Sequence, residues 1–116
     1  MGKYSKEYNI QHKQIREFLT EFKDQYHFYQ TILEQVKLGD FKLANQNCLS
    51  LSNQAKTINQ CLLNSDSKIQ KLFLRKWIDK YHRYDVFDPF LSLIDDIDDI
   101  LISIQRIFEM RGEKYE

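Results

Sequence analysis

Aspartate is concentrated in one short segment, Asp95-Asp96-Ile97-Asp98-Asp99. On a helix, Asp95, Asp98 and Asp99 project within one turn. Carboxylate oxygens are the ligands that Mg²⁺ prefers, so these three residues are the candidate metal ligands. The alternative is a solvated face near a helix N-terminus, where negative charge is favourable. The sequence favours the solvated face, and we predict neither a metal nor another cofactor.

Basic and aromatic residues alternate in the segment that precedes the aspartates. The bases are Lys68, Lys71, Arg75, Lys76, Lys80 and Arg83, and the aromatic residues among them are Trp77, Tyr81 and Tyr84. Binding of single-stranded nucleic acid requires both kinds of side chain, for phosphate neutralisation and for base stacking. The sequence therefore allows nucleic-acid binding through a local basic patch.

An internal explanation competes with nucleic-acid binding. If the third and fourth helices are antiparallel neighbours, Arg75 and Lys76 come level with Asp95 and Asp96, and the charges pair along a shared rim. The Trp77 side chain would then belong to the core. We favour this explanation of the two charge blocks.

Arg75, His82 and Tyr84 follow one another with a spacing that is similar to a known sequence signature. Their order resembles the Arg-spacer-His-x-Tyr signature of the HEPN family of helical ribonucleases, over some ten residues. The resemblance implies that Arg75 steadies a scissile phosphate and that His82 acts as general acid or base, across a dimer cleft. An RNA-binding or RNA-cleaving bundle is thus the alternative function.

The apolar residues that must position these groups recur with helical spacing. Two segments follow a three-then-four rhythm almost without error: Phe41, Ala44, Cys48, Leu51, Ala55, Ile58, Leu62, and Phe90, Ile94, Ile97, Leu101, Ile104, Phe108. This period predicts helices that each bury one face. Leu93, Ile100 and Ile107 flank the second seam, so more than one neighbour must cover that helix.

Helix-ending residues divide the chain into four predicted helices, at about 5–38, 41–63, 67–84 and 89–111. Gly39 with Asp40 predicts a hairpin turn, and Asp88-Pro89 predicts the start of the last helix. Ser67 with Gln70 predicts a capping box for the third helix. We predict one domain, an all-α antiparallel four-helix bundle, with a three-helix bundle containing a kinked central helix as the fallback.

Composition narrows the class of protein further. The 116 residues carry 17 basic and 17 acidic side chains, which argues against a surface that is basic throughout. The first twenty residues are polar and no apolar stretch is long enough for a membrane helix, so we expect a cytoplasmic protein without membrane contact. Cys48 and Cys61 lie too far apart on one helix to bridge, and we expect both in or near the core.

The first helix has more aromatic surface than a small domain is expected to cover. The candidate interface residues are Phe18, Tyr26, Phe28 and Tyr29, with Tyr4 and Tyr8 further towards the N-terminus. Surplus aromatic surface is typical of an interface. Since every catalytic pattern is incomplete, we predict a non-enzymatic interaction module, an adaptor, inhibitor or chaperone-like subunit. It would bind a protein partner or a second copy along the first helix and the polar seam of the second.

Overall fold

Four helices account for nearly all of the structure. The computed structural model describes the backbone of residues 2–112 and the side chains of residues 9–112, so Tyr4 and Tyr8 lie outside the described side chains. The helices are α1 (Gly2–Lys37), α2 (Phe41–Leu63), α3 (Ser67–Tyr81) and α4 (Pro89–Met110), and residues 2–112 include no strand. The predicted all-α helical bundle is confirmed. Within the described residues, no helix is long and apolar enough to cross a membrane.

The predicted turns between helices follow from local chemistry. Gly39 adopts a left-handed backbone with φ of 80°, which ends α1 without a steric penalty. The Asp40 carboxylate then accepts from the Leu43 N–H at 3.4 Å and caps α2. At α4, Asp88 caps the helix through the Leu91 N–H at 3.1 Å, and Pro89 occupies the first turn. Both predicted helix starts are therefore confirmed.

The third helix begins at Ser67 as predicted, but its capping differs from the prediction and it ends earlier. Asp66, and not Ser67, is the N-cap, since its carboxylate accepts from the Lys68 N–H at 2.9 Å. The Gln70 amide donates to the backbone carbonyls of Leu63 and Ser65, so it joins α3 to the turn before it and does not close a capping box. His82 is left-handed (φ 55°) and ends the helix three residues before Tyr84.

The directions of the helices follow from which levels of α1 each one contacts. Phe18 of α1 meets Phe73 (ring centroids 5.9 Å apart), and further along α1 Tyr26 meets Tyr81 at 6.4 Å. Therefore α3 runs in the direction of α1 and covers the middle of that helix, around Phe18 to Tyr26.

The fourth helix runs in that direction as well. Phe90, at its start, lies 5.6 Å from Phe22 in α1, and Arg111, just past its end, lies 5.1 Å from the Phe41 ring at the start of α2. Hence α4 is antiparallel to α2. The two helices are also joined at the start of α4, because the Asn59 amide of α2 donates to both carboxylate oxygens of Asp88, at 2.9 and 3.0 Å. Both α1 and α4 pack mainly on α2 and only lightly on each other.

The core is continuous along this arrangement and rich in aromatic rings. Its largest fully buried side chains include Phe73, Phe90, Ile32, Leu51, Ile97 and Ile104. Phe73 and Phe90 stack with planes 10° apart, and Phe22 meets Trp77 edge to face at 5.4 Å. The predicted core position of Trp77 is confirmed, since only 3% of the residue is exposed.

Part of the polar seam of α2 is used inside the bundle. Asn45 and Ser52 are buried, as is Gln25 of α1. Asn47 donates from α2 to Gln35 of α1 at 3.0 Å. Asn47 therefore joins α2 to α1, where it is available to fix register rather than to meet a partner.

Candidate functional site

The expected pairing between the basic and acidic blocks is not present. That expectation assumed that α3 and α4 are antiparallel, whereas the two helices run in the same direction. Among the described residues no ion pair joins Arg75 or Lys76 to Asp95 or Asp96. The base that acts on the acidic block is Arg83, because its positive charge is the one that lowers the pKa of Asp96.

Among the described residues, the carboxylates of the acidic block do not converge on a common point. Asp98 lies towards α2, where its charge adds to burial in raising the pKa of Cys48. Asp96 and Asp99 lie towards α1, where they raise the pKa of Tyr29 after the larger effect of burial. The carboxylates thus diverge, and the described residues contain no group of three or more His, Cys, Asp or Glu that could hold a metal ion. The alternative of a Mg²⁺ site at Asp95, Asp98 and Asp99 therefore has no converging ligands.

The four aromatic residues predicted as an interface are all half-buried. Phe18, Tyr26, Phe28 and Tyr29 pack on the edge of the core. The α3 helix covers much of this surface, since Phe18 contacts Phe73 and Tyr26 contacts Tyr81. Part of each of these four side chains remains accessible, so their role in binding a partner stays a prediction.

A groove remains open between α1 and α4, because the two helices pack lightly on each other. The α1–α4 groove has a volume of about 250 Å³ and is lined by Tyr29, Val36, Asp96, Asp99, Ile100, Ser103, Ile104 and Ile107. Its floor is aliphatic and aromatic, and its α4 rim carries Asp96 and Asp99, both exposed. Sequence reasoning did not place this groove, although Ile100 and Ile107 flanking the α4 seam were the signal for it.

A smaller and more enclosed pocket lies where α1, α3 and α4 meet. The aromatic pocket has a volume of about 160 Å³ and is lined by Phe22, Tyr26, Tyr29, Trp77, Tyr81, Arg83, Pro89, Ser92, Leu93 and Asp96. The rings form a chain in which Trp77 lies 5.2 Å from Tyr81, Tyr81 lies 6.4 Å from Tyr26, and Tyr26 lies 6.2 Å from Tyr29.

Two charged residues line this pocket without pairing with each other. The Arg83 Nε lies 3.4 Å from the Asp85 Oδ1, in a salt bridge at the surface. Asp96 has no ion pair within 4 Å among the described residues. Partial burial raises the pKa of Asp96, Arg83 lowers it, and Asp99 and Asp95 raise it again. The positive charge of Arg83 thus only partly offsets the effects that disfavour a negative charge on Asp96.

The basic residues of α3 lie on different sides of the helix. Lys80 lines a surface groove of about 630 Å³ against α1, together with Lys23, His27 and Tyr26, and its Nζ lies 5.6 Å from the Tyr81 ring centroid. Lys71 instead lines a groove against the end of α2. Nucleic-acid binding by Lys68, Lys71, Arg75, Lys76, Lys80 and Arg83 stays a prediction.

The residues of the ribonuclease-like pattern are accessible, and their role in RNA binding or cleavage stays a prediction. Arg75, His82 and Tyr84 are exposed, and within residues 9–112 no hydrogen bond or ion pair joins them. His82 serves the backbone as the left-handed cap of α3, since its N–H donates to the Ile78 carbonyl at 2.7 Å.

The two cysteines have different environments. Cys48 is fully buried, and burial followed by the charge of Asp98 raises its pKa to about 11. Cys61 is exposed, which corrects the expectation that it lies in or near the core. Its neighbour Leu62, and not Cys61, points into the bundle.

The fold and these surfaces define a small all-α bundle with an open groove between α1 and α4 and a more enclosed aromatic pocket where α1, α3 and α4 meet. Comparison with family models, with curated proteins and with solved structures gives no match for this chain. Functional inference therefore depends on the geometry of the two surfaces.

Proposed function

We propose that the protein is a non-enzymatic interaction module that binds one amphipathic helix of a protein partner in the α1–α4 groove. The observation that carries the proposal is that α1 and α4 each pack on α2 but only lightly on each other. In a four-helix bundle, a further helix occupies the position between them. Beyond Tyr26, where the ring contacts of α3 with α1 end, no helix of the described residues occupies this position.

The lining of the groove indicates the character of the partner helix. Val36, Ile100 and Ile107 supply an aliphatic floor for side chains spaced three and four residues apart. The exposed carboxylates of Asp96 and Asp99 form the rim on α4, so lysine or arginine on the flank of the partner helix is complementary to them. The expected partner is therefore a basic amphipathic helix, and the charge contributes mainly to orientation and association rate.

A designed helical peptide tests the proposal directly. The probe carries leucines at helical spacing and lysines on both flanks, and the comparison peptide carries glutamates in place of the lysines. We expect the lysine peptide to bind and to shift the backbone amide NMR signals of Val36, Ile100 and Ile107. The glutamate peptide should bind at least about tenfold more weakly, since like charges at the rim repel.

Two substitutions on the same helix provide the matched comparison. Ile100→Glu places a charge on the floor of the groove, whereas Ile102→Glu places it on the exposed side of α4. The first should abolish binding of the lysine peptide and the second should leave it unchanged, with both variants checked for an intact circular dichroism melt. Shifts outside the groove, or equal effects of the two variants, would contradict the proposal. So would sedimentation showing that the protein alone dimerises through this groove, since the occupant would then be a second copy.

A further inference from the structure

The aromatic pocket holds a combination of groups that the interaction module does not explain. Four rings, those of Tyr26, Tyr29, Trp77 and Tyr81, follow one another at centroid distances between 5.2 and 6.4 Å around it. Trp77 forms the buried back of the pocket, and the three tyrosines are half-buried. The faces of such rings carry negative electrostatic potential, which attracts a cation placed over them.

A carboxylate completes this arrangement. Asp96 lies at the exposed edge of the pocket and has no ion pair within 4 Å among the described residues. Asp95 and Asp99 precede and follow it on α4 and add to the negative potential. The chain's own cation at the pocket, Arg83, forms its ion pair with Asp85 and acts on Asp96 only at longer range.

The size of the pocket limits the ligand. Its volume is about 160 Å³, and a cavity of about 150 Å³ holds one benzene-sized molecule. A trimethylammonium group is of that size and is weakly hydrated, so desolvation costs less than for a bare ammonium. A nucleotide or a whole aromatic side chain with its backbone is too large.

We infer that the aromatic pocket binds a small alkylated ammonium group through cation–π contacts with Trp77 and the three tyrosines and through attraction to Asp96. The group can belong to a free quaternary amine or to a methylated lysine, since the recognised chemistry is the same. This site goes beyond helix binding in the α1–α4 groove and does not depend on it, although Tyr29 and Asp96 line both.

Trp77 is the single tryptophan of the chain, so its fluorescence reports on this pocket alone. Titration with choline should change the fluorescence in a saturable way. Its neutral isostere 3,3-dimethylbutan-1-ol has the same shape and should bind at least about tenfold more weakly. A peptide containing trimethyllysine, run beside the unmodified peptide, distinguishes a protein-borne group from a free amine.

Three substitutions give effects of different sign. Asp96→Asn should weaken choline binding several-fold, whereas Asp95→Asn, in the same acidic run but outside the pocket lining, should weaken it by less than about twofold, because Asp95 acts only through its more distant charge. Arg83→Gln removes the competing cation and should strengthen binding. Equal binding of choline and its neutral isostere, weakening by Arg83→Gln, or no saturable response to choline or to the trimethyllysine peptide would overturn the inference.

Discussion

At the scale of single residues, some polar side chains are buried in the bundle without forming all of their hydrogen bonds. Trp77 and Gln25 are both nearly fully buried, and each has a polar atom without a hydrogen-bond partner, the indole Nε1 and the amide Oε1. A buried polar atom left unpaired costs about 1–3 kcal/mol. Such residues therefore contribute less to stability than their burial suggests.

Replacement of Gln25 by methionine tests this cost. Gln25 donates only one weak bond, to Glu21 at 3.3 Å, and methionine has nearly the same shape without the amide. We expect Gln25→Met to raise the free energy of unfolding by about 1 kcal/mol, as measured by urea denaturation.

The matched variant is Gln30→Met, on the exposed side of the same helix. It should change stability by less than about 0.5 kcal/mol. Destabilisation by Gln25→Met would show that the Gln25 amide has a partner that the distances do not reveal.

The two cysteines should react at very different rates. Cys48 is buried and its pKa is raised to about 11, so little thiolate is present at pH 8, whereas Cys61 is exposed. With a disulfide reagent that releases a coloured thiol, we expect one rapid equivalent from the folded protein and a second only after unfolding in guanidinium. Two rapid equivalents without denaturant would mean that α2 opens readily around Cys48.

At the scale of helices, the sequence predicted periodicity and caps well but not direction. The seams of α2 and α4, the turn at Gly39 and the Asp88-Pro89 start were all predicted from short-range rules. Those rules act within one helix or one turn. They do not specify that α4 runs in the same direction as α3, because the relative direction of two helices depends on the path of the loop between them, residues 82–88.

The candidate sites were correspondingly harder to predict. The charge pairing of Arg75 with Asp95 failed once the helix directions differed, while Arg83, on the loop, came to the acidic block instead. The α1–α4 groove is absent from the sequence-based account because an open position between helices is a property of the assembled bundle. Two of its lining residues, Ile100 and Ile107, were nevertheless visible as apolar residues outside the α4 seam.

The end of α3 gives a prediction about helix termination. His82 adopts a left-handed backbone (φ 55°, ψ 37°), which is unfavourable for a residue with a Cβ atom. We expect His82→Gly to stabilise the protein by about 1 kcal/mol in chemical denaturation.

Asn64 provides the comparison, since it caps α2 in a right-handed conformation (φ −84°, ψ −7°). There glycine gains nothing and increases the entropy of the unfolded chain, so Asn64→Gly should be neutral or slightly destabilising. A loss of stability in His82→Gly larger than in Asn64→Gly would indicate that the imidazole itself makes a stabilising contact.

At the scale of the whole molecule, apolar burial rather than charge maintains the fold. The basic and acidic residues are equal in number. Two ion pairs join described residues to each other, Lys37–Glu34 and Arg83–Asp85, and both lie at the surface. Such pairs contribute about 0–1 kcal/mol each.

Thermal melts at different salt concentrations check this balance. Raising NaCl to about 0.5 M screens surface charges and should move the Tm by less than about 5 °C. Leu51→Ala, which empties a position with no exposed surface, should lower the Tm by about 10 °C or more, and Leu49→Ala, 48% exposed, should have little effect. A salt shift as large as that of Leu51→Ala would show that the unpaired charge blocks contribute to folding.

The packing of α1 has a consequence for synthesis of the protein on the ribosome. This helix contacts α2, α3 and α4, yet it is made first and α4 last. At about 5–20 residues per second, several seconds separate completion of α1 from completion of α4. Until α3 is made, α2 is the one helix of the four that can shield the apolar stripe of α1, so the α1–α2 hairpin is the part of the nascent chain whose early formation most limits aggregation.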